Sequence, residues 1–302
     1  MRLEARAPGK VNLCLFVGGL REHGRHEVVT LLESVSLADE LRLEGATAST
    51  RDEVACEGIE GPNLVELALG SLRAHGWDAP RVRVEIDKHI PIAGGMAGGS
   101  ADAAAILRMA LLIGRLRPGV VAGIAASLGA DVPSQLAPGL TRASGVGDRI
   151  EPRAPIAPHA FVLLPMPARL GAAEVYAEAD RLGLPRSDED LSACAAQLDA
   201  ALREPEGRLP DELLVNDLQP ATLSLCGEVG DALAAAREAG ADHAMVCGSG
   251  PTAAGFFWGA DAAERAEQAA VALSSAYPAA AAVTPVGAEY GVPRPSSPSG
   301  TI

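Results

Sequence analysis

Apolar and polar positions alternate first between Val11 and Val17, where VNLCLFV predicts a strand, and Leu31–Leu43 continues with strand-like pieces. Leu64, Leu67, Ala68 and Leu72 recur at helical spacing between Asn63 and His75. Arg81–Asp87 (RVRVEID) sets Val82, Val84 and Ile86 against charged neighbours, the pattern of a half-buried strand. After a run of glycines, Ala103, Ile106, Leu107, Ala110 and Leu111 form one helical face. Val120–Leu128 predicts a further helix, ended by Gly129.

A proline-dense stretch from Pro152 to Pro167 contains a predicted strand, Ala160–Leu164, and places a domain boundary near its start. Helices are expected around Ala172–Leu182, Asp188–Leu202, Val229–Ala239 and Ala262–Ser274. Ala244–Cys247 and Ala253–Trp258 read as short strands flanking a tight glycine turn. The expected organisation is an N-terminal domain over 1–154, a second domain over 155–288 and a disordered tail over 289–302, which is rich in Pro and Ser.

Composition narrows the class. The 302 residues are 48% hydrophobic, 21% charged and only 3% aromatic, so a soluble core must rest on Ala, Leu and Val. A net charge of −14 opposes a nucleic-acid backbone or an anionic membrane as partner, and leaves a small-molecule substrate. Of 25 basic residues only Lys10 and Lys88 are lysines, which marks those two positions as wanting a compact point charge. The five cysteines are widely spaced with no CxxC, the usage of reduced thiols. With no apolar signal region at the N-terminus, the expected location is cytoplasmic, as a monomer or homodimer.

The glycine stretch Pro91–Ala105 (PIAGGMAGGSADAAA) follows a strand and precedes a helix. That order points free backbone N–H groups at the loop, where the helix dipole adds positive potential. Ser100 stands where a helix N-cap is expected. The stretch is neither a Walker A loop, since the lysine is absent, nor a GxGxxG fingerprint. By itself it divides evenly between an anion cradle and a flexible connection. Three other polar pieces bear on the choice. APGKVN puts Lys10 and Asn12 two apart on a strand, hence on one side. LGADVP fixes Asp131 before a Val-Pro pair. CGSGPT, at Cys247–Thr252, is a second glycine turn.

PGKVN, PIAGGMAGGS, GADVP and GSGPT, in this order, resemble the GHMP kinase superfamily, over about residues 5–258. GRHE at Gly24–Glu27 and NDLQP at Asn216–Pro220 bring the resemblance nearest to the branch that phosphorylates the 2-hydroxyl of a cytidine diphosphate-linked methylerythritol. The resemblance implies an α+β fold of two domains, the first like ribosomal S5 domain 2 and the second ferredoxin-like, with ATP and the acceptor alcohol in the cleft between them. It carries over Lys10 and Asp131 for catalysis. It gives Pro91, Ile92, Ala93, Gly94, Gly95, Met96, Ala97, Gly98, Gly99, Ser100 and Ala101 to the ATP phosphates. Asn12, Arg25, His26 and Tyr176 fall to the substrate, and Mg²⁺ accompanies ATP with Ser100 as candidate ligand. In these roles Asp131 accepts the hydroxyl proton, while Lys10 stabilises the transition state and holds Asp131 ionised. One departure stands out: the family has an aromatic before the histidine, and this chain has Arg25, which offers a planar guanidinium to the base. Another acceptor, homoserine or a mevalonate-type alcohol, and a fold-only nucleotide binder remain the alternatives.

Overall fold

A computed structural model describes all residues except 1, 23, 47–48, 59–62, 118, 205 and 297–302. Two long strands open the chain, β1 (Arg2–Leu20) and β2 (His26–Gly45), paired antiparallel. Then come β3 (Glu53–Cys56), α1 (Leu64–Ala74), β4 (Val82–Asp87), α2 (Gly98–Ile113), α3 (Val120–Leu128), α4 (Val132–Gln135), β5 (Leu140–Gly145) and β6 (Arg149–Pro152). Because β2 is long, its far edge serves two partners: β5 along Val28–Glu33 and β4 along Glu40–Gly45. The β1–β2 register shifts between Pro8 and Lys10 and between Asn12 and Cys14. Such irregularities re-aim side chains, and here they bracket the two polar residues of β1.

Burial explains why VNLCLFV reads as nearly continuous apolar sequence. The start of β1 (Leu3, Ala5, Ala7) packs beneath α1 and α2 in the first core. Further on, Val11, Leu13 and Phe16 join a second core with Phe161, Leu163 and Phe256. Leu15 and Val17 meet a third surface, with Val175 and Leu218. Helix α1 starts where Asn63 caps it, accepting from Val65 N (2.9 Å) and Glu66 N (3.0 Å) while Glu66 reaches back.

The second half runs β7 (His159–Leu164), α5 (Ala172–Leu182), α6 (Asp188–Ala201), α7 (Gln219–Leu225), α8 (Glu228–Glu238), β8 (His243–Val246), β9 (Ala253–Trp258), α9 (Ala262–Leu273) and β10 (Ala281–Val283). Its antiparallel sheet has the order β10-β7-β9-β8. Numbered from β7, that is 4-1-3-2, the ferredoxin-like arrangement. Ala160, Val162 and Leu164 face α8 and α9, while Phe161 and Leu163 face the core shared with β1 and β2. The two halves thus meet through packed apolar side chains as well as a linker.

Residues 289–296, expected to belong to a disordered tail, are held in place in the structure. After β10 the chain crosses back: Ala288–Gly291 form a 3₁₀ turn and β11 (Arg294–Pro295) pairs with β1. Tyr290 donates its hydroxyl to the Ser36 carbonyl (2.7 Å) and lies under the Arg6 guanidinium, 4.9 Å from ring centre. An aromatic anchor and strand pairing override the Pro/Ser composition here. The tail expectation for 297–302 lies outside the described residues.

Candidate active site

The glycine loop forms the wall between two cavities. The smaller, about 310 Å³, is lined by Pro91–Gly95, Ala97–Ser100 and Asp102, together with Lys88, Asn63 and Leu64. The larger, about 670 Å³, is lined by Lys10, Asn12, Arg25, His26, Asp131 and Tyr176, among others. Ala93, Gly95 and Ala97 border both.

Three residues of the loop have left-handed backbone: Ala93 (φ 55°), Gly95 (φ 79°) and Ala97 (φ 57°). For the two alanines this costs of order 1–3 kcal/mol each and persists only where surroundings enforce it. The enforcement is visible. The Met96 carbonyl accepts from Lys10 N (3.1 Å) and the Met96 side chain is buried in the shared core. Gly95 presses against the second glycine turn, where a Cβ would collide with the Cys247 carbonyl. Gly248 (φ 53°) returns the contact, since a Cβ there would lie 2.8 Å from the Gly95 oxygen and from Lys10 Nζ. PIAGGMAGGS and CGSGPT, far apart in sequence, are one backbone-to-backbone junction.

Two expectations change at the loop. Helix α2 starts at Gly98, its N-cap is Ala97 with no side-chain cap, and Ser100 is its third residue. The first intrahelical bond is Ala101 N to Ala97 O, so the N–H groups of Gly98, Gly99 and Ser100 have no intrahelical acceptor. Leaving the cap position without a side chain keeps that end open to the smaller cavity. Met96 and Ala101, expected among the phosphate-binding residues, turn into the core and line neither cavity.

Lys10 and Asn12 do share one side of β1. Lys10 Nζ donates to Asn12 Oδ1 (2.7 Å) and to the Gly95 carbonyl (2.8 Å). Asn12 Nδ2 donates to Thr30 Oγ1 (2.8 Å), which donates to the Cys14 carbonyl (2.6 Å). This chain fixes the ammonium, only 5% exposed, against the loop. The expected ion pair with Asp131 is not formed among the described residues. Instead Lys10 satisfies a loop carbonyl, and Asp131 lines the same cavity from the start of α4, its carboxylate without a hydrogen-bond partner among the described residues. The Asp131 carbonyl accepts from Ser134 Oγ (2.8 Å).

On the opposite wall, His26 stacks on Tyr176 (centroids 4.9 Å, 27° between planes), and its Nε2 meets Asp180 Oδ1 at 2.8 Å. Burial, then the nearby Asp131 charge, pushes the Tyr176 hydroxyl up to about 12, against the opposing effect of Arg25. Arg25 is exposed and donates to the Val146 carbonyl (3.3 Å). One face of Tyr176 is therefore already covered by His26, and Arg25 belongs to the same cavity.

A buried charge cluster beneath the smaller cavity escaped the sequence reading. Lys88 Nζ bridges Asp39 and Asp102 (2.8 Å to Asp102 Oδ2), and Asp39 Oδ1 accepts from the backbone N–H of His89 (2.6 Å) and Ile90 (2.8 Å). Burial is the main cause that raises Asp102 to about 7, opposed by Lys88 and reinforced by Asp39. Its Oδ1 is buried without a hydrogen-bond partner among the described residues. The scarcity of lysine pointed to Lys88. Asp102 sits inside a run of alanines and gave no signal, although it alone breaks that run.

The fold and the glycine wall define a small-molecule kinase of the GHMP type. Residues 63–139 match the model of the GHMP kinases N terminal domain, and 198–278 that of the GHMP kinases C terminal domain. A 4-diphosphocytidyl-2-C-methyl-D-erythritol kinase of Streptomyces avermitilis is 38% identical over 94% of this chain and 98% of its own. One of Rhodococcus jostii is 41% identical over 86% and 85%. A crystal structure of 4-(cytidine 5'-diphospho)-2C-methyl-D-erythritol kinase superposes with a TM-score of 0.71 at 31% identity, covering 93% of this chain and 98% of that one. The chain belongs to the GHMP kinases, in the family of the 4-diphosphocytidyl-2-C-methyl-D-erythritol kinases. A homoserine kinase from Cytophaga hutchinsonii shares the fold alone, at 17% identity and a TM-score of 0.66. Among the described residues no helix is long and apolar enough to cross a membrane.

Proposed function

We infer that the protein transfers the γ-phosphoryl group of ATP to the 2-hydroxyl of 4-diphosphocytidyl-2-C-methyl-D-erythritol, a step of isoprenoid precursor synthesis. The observation that carries the site assignment is the loop itself. A single strained backbone segment separates a cavity rimmed by free helix N–H groups from a larger one holding an ammonium and an unpartnered carboxylate. Phosphoryl transfer needs positioning and charge stabilisation more than covalent chemistry, and this division supplies both.

In this reading the triphosphate lies on the N–H groups of Gly98–Ser100 in the smaller cavity. The acceptor enters the larger one, its cytosine against Tyr176 and Arg25. Asp131 takes the hydroxyl proton as the oxygen attacks phosphorus. Lys10 spends two of its three N–H donors on Asn12 and Gly95, and the third is available to the transferring group. The residues present also fit Mg²⁺ held chiefly by the phosphate oxygens of ATP. Among the described residues no three His, Cys, Asp or Glu side chains form a metal cluster, while Ser100 and Asp102 line the cradle and the buried Asp102 Oδ1 has no hydrogen-bond partner among the described residues. When bound, the ion neutralises phosphate charge.

Steady-state ADP formation with the diphosphocytidyl alcohol, homoserine and mevalonate as alternative acceptors tests the reading. Turnover is expected with the first alone. Folded protein that turns over only one of the others would overturn it.

A further inference from the structure

The helix that starts at the glycine loop and the turn that carries Asp131 are tied by one guanidinium. Arg108 projects from α2. Its Nη1 donates to the carbonyl of Gln135, the last residue of α4, its Nε to that of Gly291 (2.9 Å) and its Nη2 to that of Arg6 (2.9 Å). Among the described residues no carboxylate pairs with it, and burial alone lowers its pKa to about 10. Desolvating a cation without a counter-charge is unfavourable, and apolar residues would fill such a site at less cost. What the guanidinium supplies is a rigid fork whose donors hold three carbonyls of three separate segments, a task an ammonium cannot match.

One of those segments is the strap by which the C-terminal part returns to the first sheet. Ser36 N donates to the Thr284 carbonyl (2.9 Å) and Val286 N to that of Ser34 (2.9 Å), before Tyr290 anchors on Ser36 and β11 pairs with β1. Gly291 fits closely against Arg108, since a Cβ there would lie 3.0 Å from Nη2. A second segment, α4, begins immediately after Asp131 and is a single turn held at its far end by Arg108, while the third, at Arg6, belongs to β1.

We propose that Arg108, braced by the strap of residues 284–296, is a positioning residue for phosphoryl transfer: it sets the Asp131 turn against the helix whose start forms the phosphate cradle. This rests on the reading of Asp131 as the base. In-line transfer tolerates little misplacement, and an error of about 1 Å can lower the rate on the order of 10²-fold. Arg108 touches neither cavity, so its influence falls on the geometry of the step and not on nucleotide affinity.

The test is Arg108→Lys in the full chain, which keeps the charge and loses the fork. The expected kcat falls roughly ten- to a hundredfold while the Kd for ATP stays within about twofold. The loss does not multiply with Asp131→Asn, because both variants remove the same aligned base; a merely structural role predicts independent losses. Tyr290→Ala, which loosens the strap from the surface, lowers kcat in the same direction at unchanged ATP affinity and carries the test should Arg108→Lys not fold. A wild-type kcat in the folded variants, or kcat and ATP affinity lost in proportion, or multiplying losses, would overturn the proposal. Asp131→Asn running at the wild-type rate is a separate outcome, and it would sink the base assignment instead.

Discussion

Asp131 lines the larger cavity, and among the described residues its carboxylate has no hydrogen-bond partner. Its replacement by Asn keeps size and polarity but removes the base. Asp131→Asn is expected to lower kcat by about 10²–10⁴-fold with ATP binding intact. Stopped-flow or steady-state rates beside an ATP titration check this, and an unchanged rate refutes the assignment. Lys10 shows how residue-level expectation is corrected by context. Its charge was expected to face Asp131, yet two of its donors hold Asn12 and the Gly95 carbonyl, so it also fixes the loop. Lys10→Ala should therefore weaken ATP binding as well as lower kcat, a combination Asp131→Asn lacks. On the substrate side, Tyr176→Ala is expected to raise KM for the cytidine substrate by about tenfold, the scale of one lost base stack, and to leave KM for ATP unchanged. An equal rise in both would place Tyr176 in a structural role.

At the scale of elements, periodicity was a good guide where a helix or strand contacts its core along its whole length. Helix α5 spans the expected Ala172–Leu182, and β9 matches the predicted Ala253–Trp258. It failed where structure depends on remote partners. The bulges around Lys10 and Asn12, the one-turn α4 and the return of β11 to β1 leave no local pattern, because what stabilises each is a distant strand or side chain. The start of α2 was misplaced for a related reason. A serine near a helix start reads as a cap, but the glycine junction with Cys247–Gly250 forces Ala97 into the cap position. Gly98→Val is expected to weaken ATP binding, since a Cβ built there would lie 3.1 Å from Ile90 and 3.2 Å from Lys88 Nζ, so the start of α2 or these neighbours must shift; unchanged ATP affinity of the folded variant in a calorimetric titration would remove this residue from the cradle. The Asp39–Lys88–Asp102 cluster adds a pH signature. Asp102 has its folded pKa raised from 3.8 to about 7, so the fold favours its neutral form. Its contribution to stability is full below pH 4 and is lost as pH rises through 7. Asp102→Asn should flatten the fall of Tm across that window relative to the parent chain, and identical slopes in thermal melts would contradict the shift.

At the scale of the molecule, the sequence predicts two halves with a boundary near the start of the proline-dense stretch, and in the structure β7, within that stretch, belongs to the second sheet. How closely they join was not legible. Phe16 and Leu31 of the first sheet share a core with Phe161 and Phe256 of the second, and the chain crosses back through residues 284–296. The alternation of Phe161 and Val162 shows that both faces of β7 are apolar, but not that one of them meets another sheet. Through this shared core, to which Met96 and Cys247 both belong, the second glycine turn packs against the first and backs the wall between the cavities. What occupies the two sides of that wall decides which cavity serves which substrate. The most direct measurement is a crystal structure of the ternary complex with a non-hydrolysable ATP analogue and 4-diphosphocytidyl-2-C-methyl-D-erythritol. It should show the phosphates on the Gly98–Ser100 N–H groups, the cytosine against Tyr176 and the acceptor hydroxyl within hydrogen-bond reach of Asp131. A triphosphate in the larger cavity, or an acceptor hydroxyl remote from Asp131 in the closed complex, would contradict it.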